Sequence, residues 1–127
     1  MIGGKILDAS ALAALVRGRI SAVAWLVTAD LKGIVLYLPT LALAEVRAVR
    51  PDASTEIAEV LGHPMVIVNE LDAASARQVD QLLTDANMFD ATAGHVVHAA
   101  QHRGWPALSA DPDRLRRLDP AVPIDLL

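Results

Sequence analysis

The chain has no cysteine. That excludes a disulfide framework and any thiolate chemistry. A chain of 127 residues needs neither, because a domain of this size buries about two-thirds of the surface its unfolded form exposes. Long hydrophobic runs are missing too. The longest uncharged stretches, residues 20–29 and 33–44, fall short of the roughly 18 apolar residues of a membrane span. The amino-terminal segment carries Lys5 as its only positive charge and is interrupted by Asp8, unlike a secretion signal, so the expectation is a cytoplasmic protein without a membrane partner. Nor is there an excess of positive charge. A formal net charge of -4 and a pI near 5.4 argue against nucleic-acid binding through bulk electrostatics, and any nucleic-acid chemistry must be local. Finally, there is no glycine-rich phosphate loop, nucleophile elbow, internal repeat or low-complexity segment. The search narrows to acids, hydroxyls and histidines.

What is present alternates short apolar runs with helical spacing. Lys5-Ile6-Leu7 reads as a strand ending at Asp8, and Leu12, Leu15 and Val16 then recur at helical intervals up to Gly18. Residues 20–31 form a second helix stopped at Gly33, and residues 34–38 a β-prone run closed by Pro39. Thr40 is expected to cap a helix over 41–49, which Pro51 ends. Another helix is expected over 52–61, with Asp52 and Ser54 as available caps, followed by a strand over 65–68. Asp72 opens a helix to about residue 86, and Asp90 opens one to about 102, which Gly104 stops. A short buried strand over 106–109 runs into Asp111-Pro112, and residues 122–126 suit an edge strand. Short strands, apolar throughout and separated by helices, imply a parallel sheet covered on both faces. The fold class is α/β in a single domain, 1–127, and its 23 alanines suit helices packed closely on a sheet.

Four carboxylates invite a functional reading beside a structural one. Asp8 ends the first strand and Asp90 opens a helix, and each suits an N-cap. Asp111 before Pro112 has the order of a cap followed by proline at the first helical position, with Asp113 in the first turn. Glu45 lies well inside its helix among Leu41, Ala42, Ala48 and Val49, cannot be a cap, and wants a cation. If the first three strands run outward and the fourth returns beside the first, the strands ending at Asp8 and Asp111 are neighbours. Their carboxyl ends then flank the topological switch point, where open α/β sheets place ligands. Glu45 and Asp90 could edge the same crevice. Four converging acids repel unless a hard divalent cation, Mg²⁺ or Mn²⁺, sits between them. Such an ion polarises a phosphodiester and activates water.

The series Ile6-Leu7-Asp8-Ala9-Ser10, Pro39-Thr40-Leu41-Ala42-Leu43-Ala44-Glu45, Asp90-Ala91-Thr92-Ala93 and Leu108-Ser109-Ala110-Asp111-Pro112-Asp113 resembles the PIN-domain ribonucleases, in particular the compact VapC-type toxins of toxin-antitoxin pairs. The resemblance spans nearly the whole chain, with Ser109 where the family more often has threonine. It implies a PIN-like three-layer α/β/α sandwich with a central parallel sheet of four to five strands, usually dimeric. It also implies a Mg²⁺- or Mn²⁺-dependent endoribonuclease, a hydrolase in which Asp8, Glu45, Asp90 and Asp111 are the catalytic, metal-binding acids. Ser10, Ser109 and Asp113 would support the site, and Arg114, Arg116 and Arg117 would reach an RNA phosphate. The partners implied are an RNA substrate, a second copy of the chain and a cognate antitoxin. Single-stranded or looped RNA suits a shallow acidic crevice that cannot read a duplex groove. The alternative is a catalytically silent PIN-like binding or regulatory domain whose aspartates serve only as caps. Residues 20–31 offer more apolar surface than a domain of this size buries internally, a surface for a dimer or antitoxin. Trp25 and Trp105 read as packing residues. His95, His98 and His102 share one helical face at a spacing that could hold a transition metal, and the favoured reading is a solvated polar stripe opposite Val96, Val97 and Ala100.

Overall fold

The computed structural model describes residues 3–127. Five strands, β1 (Gly4–Leu7), β2 (Val35–Pro39), β3 (Val66–Asn69), β4 (Ala107–Ser109) and β5 (Ile124–Leu126), form one sheet in the order β3-β2-β1-β4-β5. Every pairing is parallel. This bears out the α/β reading and the return of the fourth strand to the far side of the first. The chain runs from β1 through α1 (Ala9–Val16) and α2 (Ile20–Lys32) to β2, then through α3 (Thr40–Val49), a 3₁₀ turn (Pro51–Ala53) and α4 (Ser54–Leu61) to β3. It returns through α5 (Ala73–Ala86) and α6 (Ala91–Arg103) to β4, and α7 (Pro112–Arg116) precedes β5. Right-handed crossovers put the connection from β1 to β2 on one face and the return from β3 to β4 on the other, giving three layers. Among the described residues no single helix is long and apolar enough to cross a membrane.

The core follows from the apolar strands. Ile6, Leu7, Leu36, Leu38 and Leu108 are fully or almost fully enclosed, and Leu12, Val96 and Val97 close over them from α1 and α6. Fully burying each such side chain is worth about 1.5–3 kcal/mol. Close approach at two places needs glycine. A Cβ on Gly4 would come within 2.5 Å of the Trp105 ring, and one on Gly94 within 2.9 Å of Val79, where α5 packs on α6. Gly33 and Gly104 end α2 and α6 in the left-handed conformation expected of terminators.

Three local expectations change in the fold. Thr40 is the first residue of α3 rather than its cap, and Pro39, the N-cap, has no side-chain donor or acceptor to offer. Asp52 and Ser54 likewise do not cap α4; Asp52 pairs with Arg50. The third change concerns the histidines. Only His102 is exposed, whereas His95 and His98 are buried, because α6 packs on β1, β2 and β4 and is itself covered by α3 and α5. A helix covered from so many directions has no solvated stripe at that position.

His95 takes over the work expected of Thr40. Its Nδ1 accepts from the Leu41 amide at 3.4 Å, satisfying an orphan donor at the start of α3 from a neighbouring helix. The acceptor role requires neutral imidazole. Burial, with His98 nearby, lowers the His95 pKa to about 4. Between the ordinary value of 6.5 and about 4, the unfolded chain binds a proton that the folded one refuses. This contribution to stability is therefore complete above pH 6.5 and is lost as the pH falls, with a slope of at most about 1.4 kcal/mol per pH unit. Urea unfolding at a series of pH values should show that decline, and His95→Gln should flatten it. The His95 ring proton resonances should not titrate above pH 5.

Candidate functional site

The carboxyl ends of β1 and β4 meet at the switch point, and Asp8 is the residue through which they are tied. Asp8 has extended backbone at the N-cap of α1, and its carboxylate accepts from the Ala11 amide at 2.8 Å, so the capping reading is correct. It also does more. Ser10 Oγ donates to Oδ1 at 2.6 Å and Ser109 Oγ donates to Oδ2. Each hydroxyl then accepts from the β4–α7 turn: Ser10, across the junction, from the Ala110 amide at 2.8 Å, and Ser109, within its own turn, from the Asp111 amide at 2.9 Å. The two serines thus convert one carboxylate into a clamp on the turn leading to α7. Asp8 and Ser109 are both buried. Burial pushes the Asp8 carboxyl above its ordinary value, against the opposing pull of Ser10, Ser109, Ala11 and the charge of Arg114.

Glu45 and Asp90 form the second part. Glu45 projects from the middle of α3 at its half-buried edge, and Asp90 caps α6 by accepting from the Ala93 amide at 3.1 Å. The cation that Glu45 requires is Arg114, the third residue of α7. Its Nη1 and Nη2 donate to Glu45 Oε2 and Oε1 at 2.7 and 2.6 Å. Nε and Nη2 donate to Asp90 Oδ2 and Oδ1 at 2.6 and 2.8 Å. All four carboxylate oxygens are therefore engaged by one guanidinium, the bidentate geometry that makes arginine-carboxylate pairs strong. Hydrogen bonding from Arg114 holds both carboxyls below their ordinary values, and the two acids raise the arginine in turn. The Thr92 hydroxyl adds to the effect on Glu45. Thr92 was not among the residues singled out, although its place two residues after Asp90, in the first turn of the helix packed on α3, is the signal that would have found it.

The remaining expected site residues lie at the rim. Asp111 is the N-cap of α7 but makes no side-chain cap bond, and it is exposed, as are Asp113, Arg116 and Arg117. The charge of Arg117 is felt at Asp90. Arg114, expected to face an RNA phosphate, is instead occupied with the protein's own acids. A cleft of about 170 Å³ opens beside them, lined by Ser10, Ala13, Glu45, Val46, Arg50 and Arg114. Among the described residues no three acidic or histidine side chains stand close enough together to hold a metal ion. The expected convergence of four acids is realised as a pair, Glu45 and Asp90, around an internal cation.

That pair nevertheless meets a chemical requirement for a hard divalent ion, since four carboxylate oxygens already converge on a single positive charge. Asp8, by contrast, commits both oxygens to internal hydrogen bonds.

Two substitutions test this account of the clamp. Asp8→Asn keeps the cap and removes a buried charge, and the serine hydroxyls can reverse their donor roles to receive the new amide. It should raise the melting temperature, by roughly 2–4 °C for each kcal/mol gained. Ser109→Ala strips a partner from both Asp8 and the Asp111 amide and should destabilise by about 1–3 kcal/mol in chemical unfolding.

No protein-family model and no curated protein matches the chain. Solved structures do. The structure of VapBC2 from Rickettsia felis, bound to a DNA fragment from its promoter, contains a chain that superposes with a TM-score of 0.77 at 11% identity, over 99% of this chain and 98% of that one. The structure of FitAB bound to the IR36 DNA fragment gives a TM-score of 0.66 at 17% identity, over 99% and 94%. At these identities the likeness is one of fold: the five-stranded parallel sheet between helices described above is shared with those chains over essentially their whole length.

Proposed function

We propose that the chain is a Mg²⁺- or Mn²⁺-dependent endoribonuclease that hydrolyses RNA phosphodiester bonds and acts as the toxin of a toxin-antitoxin pair. The observation that carries the proposal is the junction of β1 and β4, where Asp8 ends the central strand and Arg114, whose charge is felt at Asp8, gathers the carboxylates of Glu45 and Asp90, at the end of the sheet where α/β folds bind ligands. The PIN-type motif series and the fold shared with chains of VapBC2 and FitAB support the toxin reading.

In this reading Glu45 and Asp90 are the principal ligands of the cation. Asp8 adds negative potential from behind them, and Asp111 does so from the exposed lip. A divalent cation, when bound, would polarise the scissile phosphate and make water more acidic. The chain's own residues supply the frame. Ser10 and Ser109 fix the Asp8 carboxylate, Thr92 steadies Glu45, and the exposed Arg116 and Arg117 offer charge to the RNA backbone at the rim of the cleft. The exposed apolar residues Ile20, Val23, Val27 and Leu31, at helical spacing along α2, are the surface proposed for a protein partner, the antitoxin or a second copy of the chain.

The test is cleavage of a pool of single-stranded RNAs with Mn²⁺ and with EDTA. Cleavage should require the metal, and Glu45→Gln or Asp90→Asn should reduce it by at least about 100-fold. Proteins that remain folded and bind RNA or a partner, yet never cleave with metal present, would establish the alternative, a catalytically silent PIN-like domain.

A further inference from the structure

Three features offer more than packing: the cation-aromatic group of Arg103, Tyr37 and Trp105 at the opposite end of the sheet, the exposed apolar stripe of α2, and Arg114. Arg114 carries an inference furthest. The others lack a ligand or partner that the structure identifies.

Glu45 and Asp90 present four oxygens, and Arg114 occupies all four. A divalent ion entering between these acids needs some of the same lone pairs, and it must approach a guanidinium that carries charge of its own sign. At about 4 Å, two positive charges repel strongly wherever water is partly excluded. The three side chains are only 25–32% exposed, so screening there is incomplete. Both cannot occupy the pair together.

Local structure then says which of the two moves. Asp90 is held as the cap of α6 by the Ala93 amide, so its carboxylate cannot retreat without uncapping a helix, and Glu45 is based in the middle of the ten-residue α3. Arg114 reaches them on a long flexible side chain from the five-residue α7, with the open cleft beside it. The arginine is the mobile member.

We infer that Arg114 is an internal counter-ion that closes the acidic pair, and that a divalent cation binds Glu45 and Asp90 only by displacing its guanidinium into the cleft. The inference rests on the metal-dependent reading above and adds a regulatory element to it. The residue that looks like a phosphate-binding arginine sets the threshold for metal loading. It also keeps two carboxylates from facing each other unscreened when no metal is present, since the charge of Asp90 opposes ionisation of Glu45.

The consequence has an unusual sign. Removing a phosphate-binding arginine would weaken RNA binding and leave the metal requirement alone. Removing an internal counter-ion should tighten metal binding.

Binding of Mg²⁺ is measured by calorimetry on the wild type, Arg114→Gln and Arg114→Lys. The dissociation constant should fall at least tenfold in Arg114→Gln. Arg114→Lys, a single point charge without the fork, should lie between the two. In parallel, the Nε–Hε resonance of Arg114, identified by its disappearance from the spectrum of Arg114→Lys, should be protected in the metal-free wild type and should shift or broaden as Mg²⁺ is added. This second measurement needs no variant that folds poorly. If the wild type binds Mg²⁺ while the resonance stays in place and Arg114→Gln binds no tighter, the counter-ion inference is wrong and the metal-dependent reading survives. If neither the wild type nor Arg114→Gln binds Mg²⁺ or Mn²⁺, both are wrong. Binding by Arg114→Gln alone supports the inference in its strongest form.

Discussion

The structure around the site depends on one carboxylate. Asp8 stands at the end of the central strand and accepts three hydrogen bonds, two from serines that simultaneously hold the backbone of the β4–α7 turn. Helix α7 is only five residues long, too short to be stable by its own hydrogen bonds. Its position comes from this clamp and from Leu115, which is buried in the core. Arg114 is adjacent to Leu115 and inherits that position, so the pairing with Glu45 and Asp90 follows from a network anchored at Asp8.

The electrostatics divide accordingly. Asp8 is a buried acid whose partners are hydroxyls and an amide, and burial outweighs them. Glu45 and Asp90 are more open and have a formal counter-charge, so their ionised forms are favoured. One end of a sheet therefore holds an acid pushed up and two acids pushed down. The opposite directions follow from opposite surroundings, burial at Asp8 and a shared guanidinium at Glu45 and Asp90.

Helix α6 links the fold to this chemistry. It carries Asp90 at its start and Thr92 in its first turn, and from farther along it His95 reaches across to the Leu41 amide in the first turn of α3, the helix that bears Glu45. The contact fixes two acid-bearing helices relative to each other. A neutral histidine serves because it can accept a hydrogen bond where a protonated one cannot.

Much of this was legible in the sequence. Periodicity and terminators located every strand and helix to within a few residues, because continuous apolar runs and alanine-rich helical spacing leave little choice of fold class. The mid-helix position of Glu45 disclosed its need for a cation, and the return of the fourth strand was a matter of topology. The tertiary structure alone decided which cation answers, since Arg114 lies 69 residues beyond Glu45 and reads locally as one of three surface arginines. It also decided the state of the histidines. Helical spacing shows which residues share a face of α6, whereas covering that face requires α3 and α5 to arrive from distant parts of the chain. Local interactions determine elements, and burial and ion pairing are properties of their assembly.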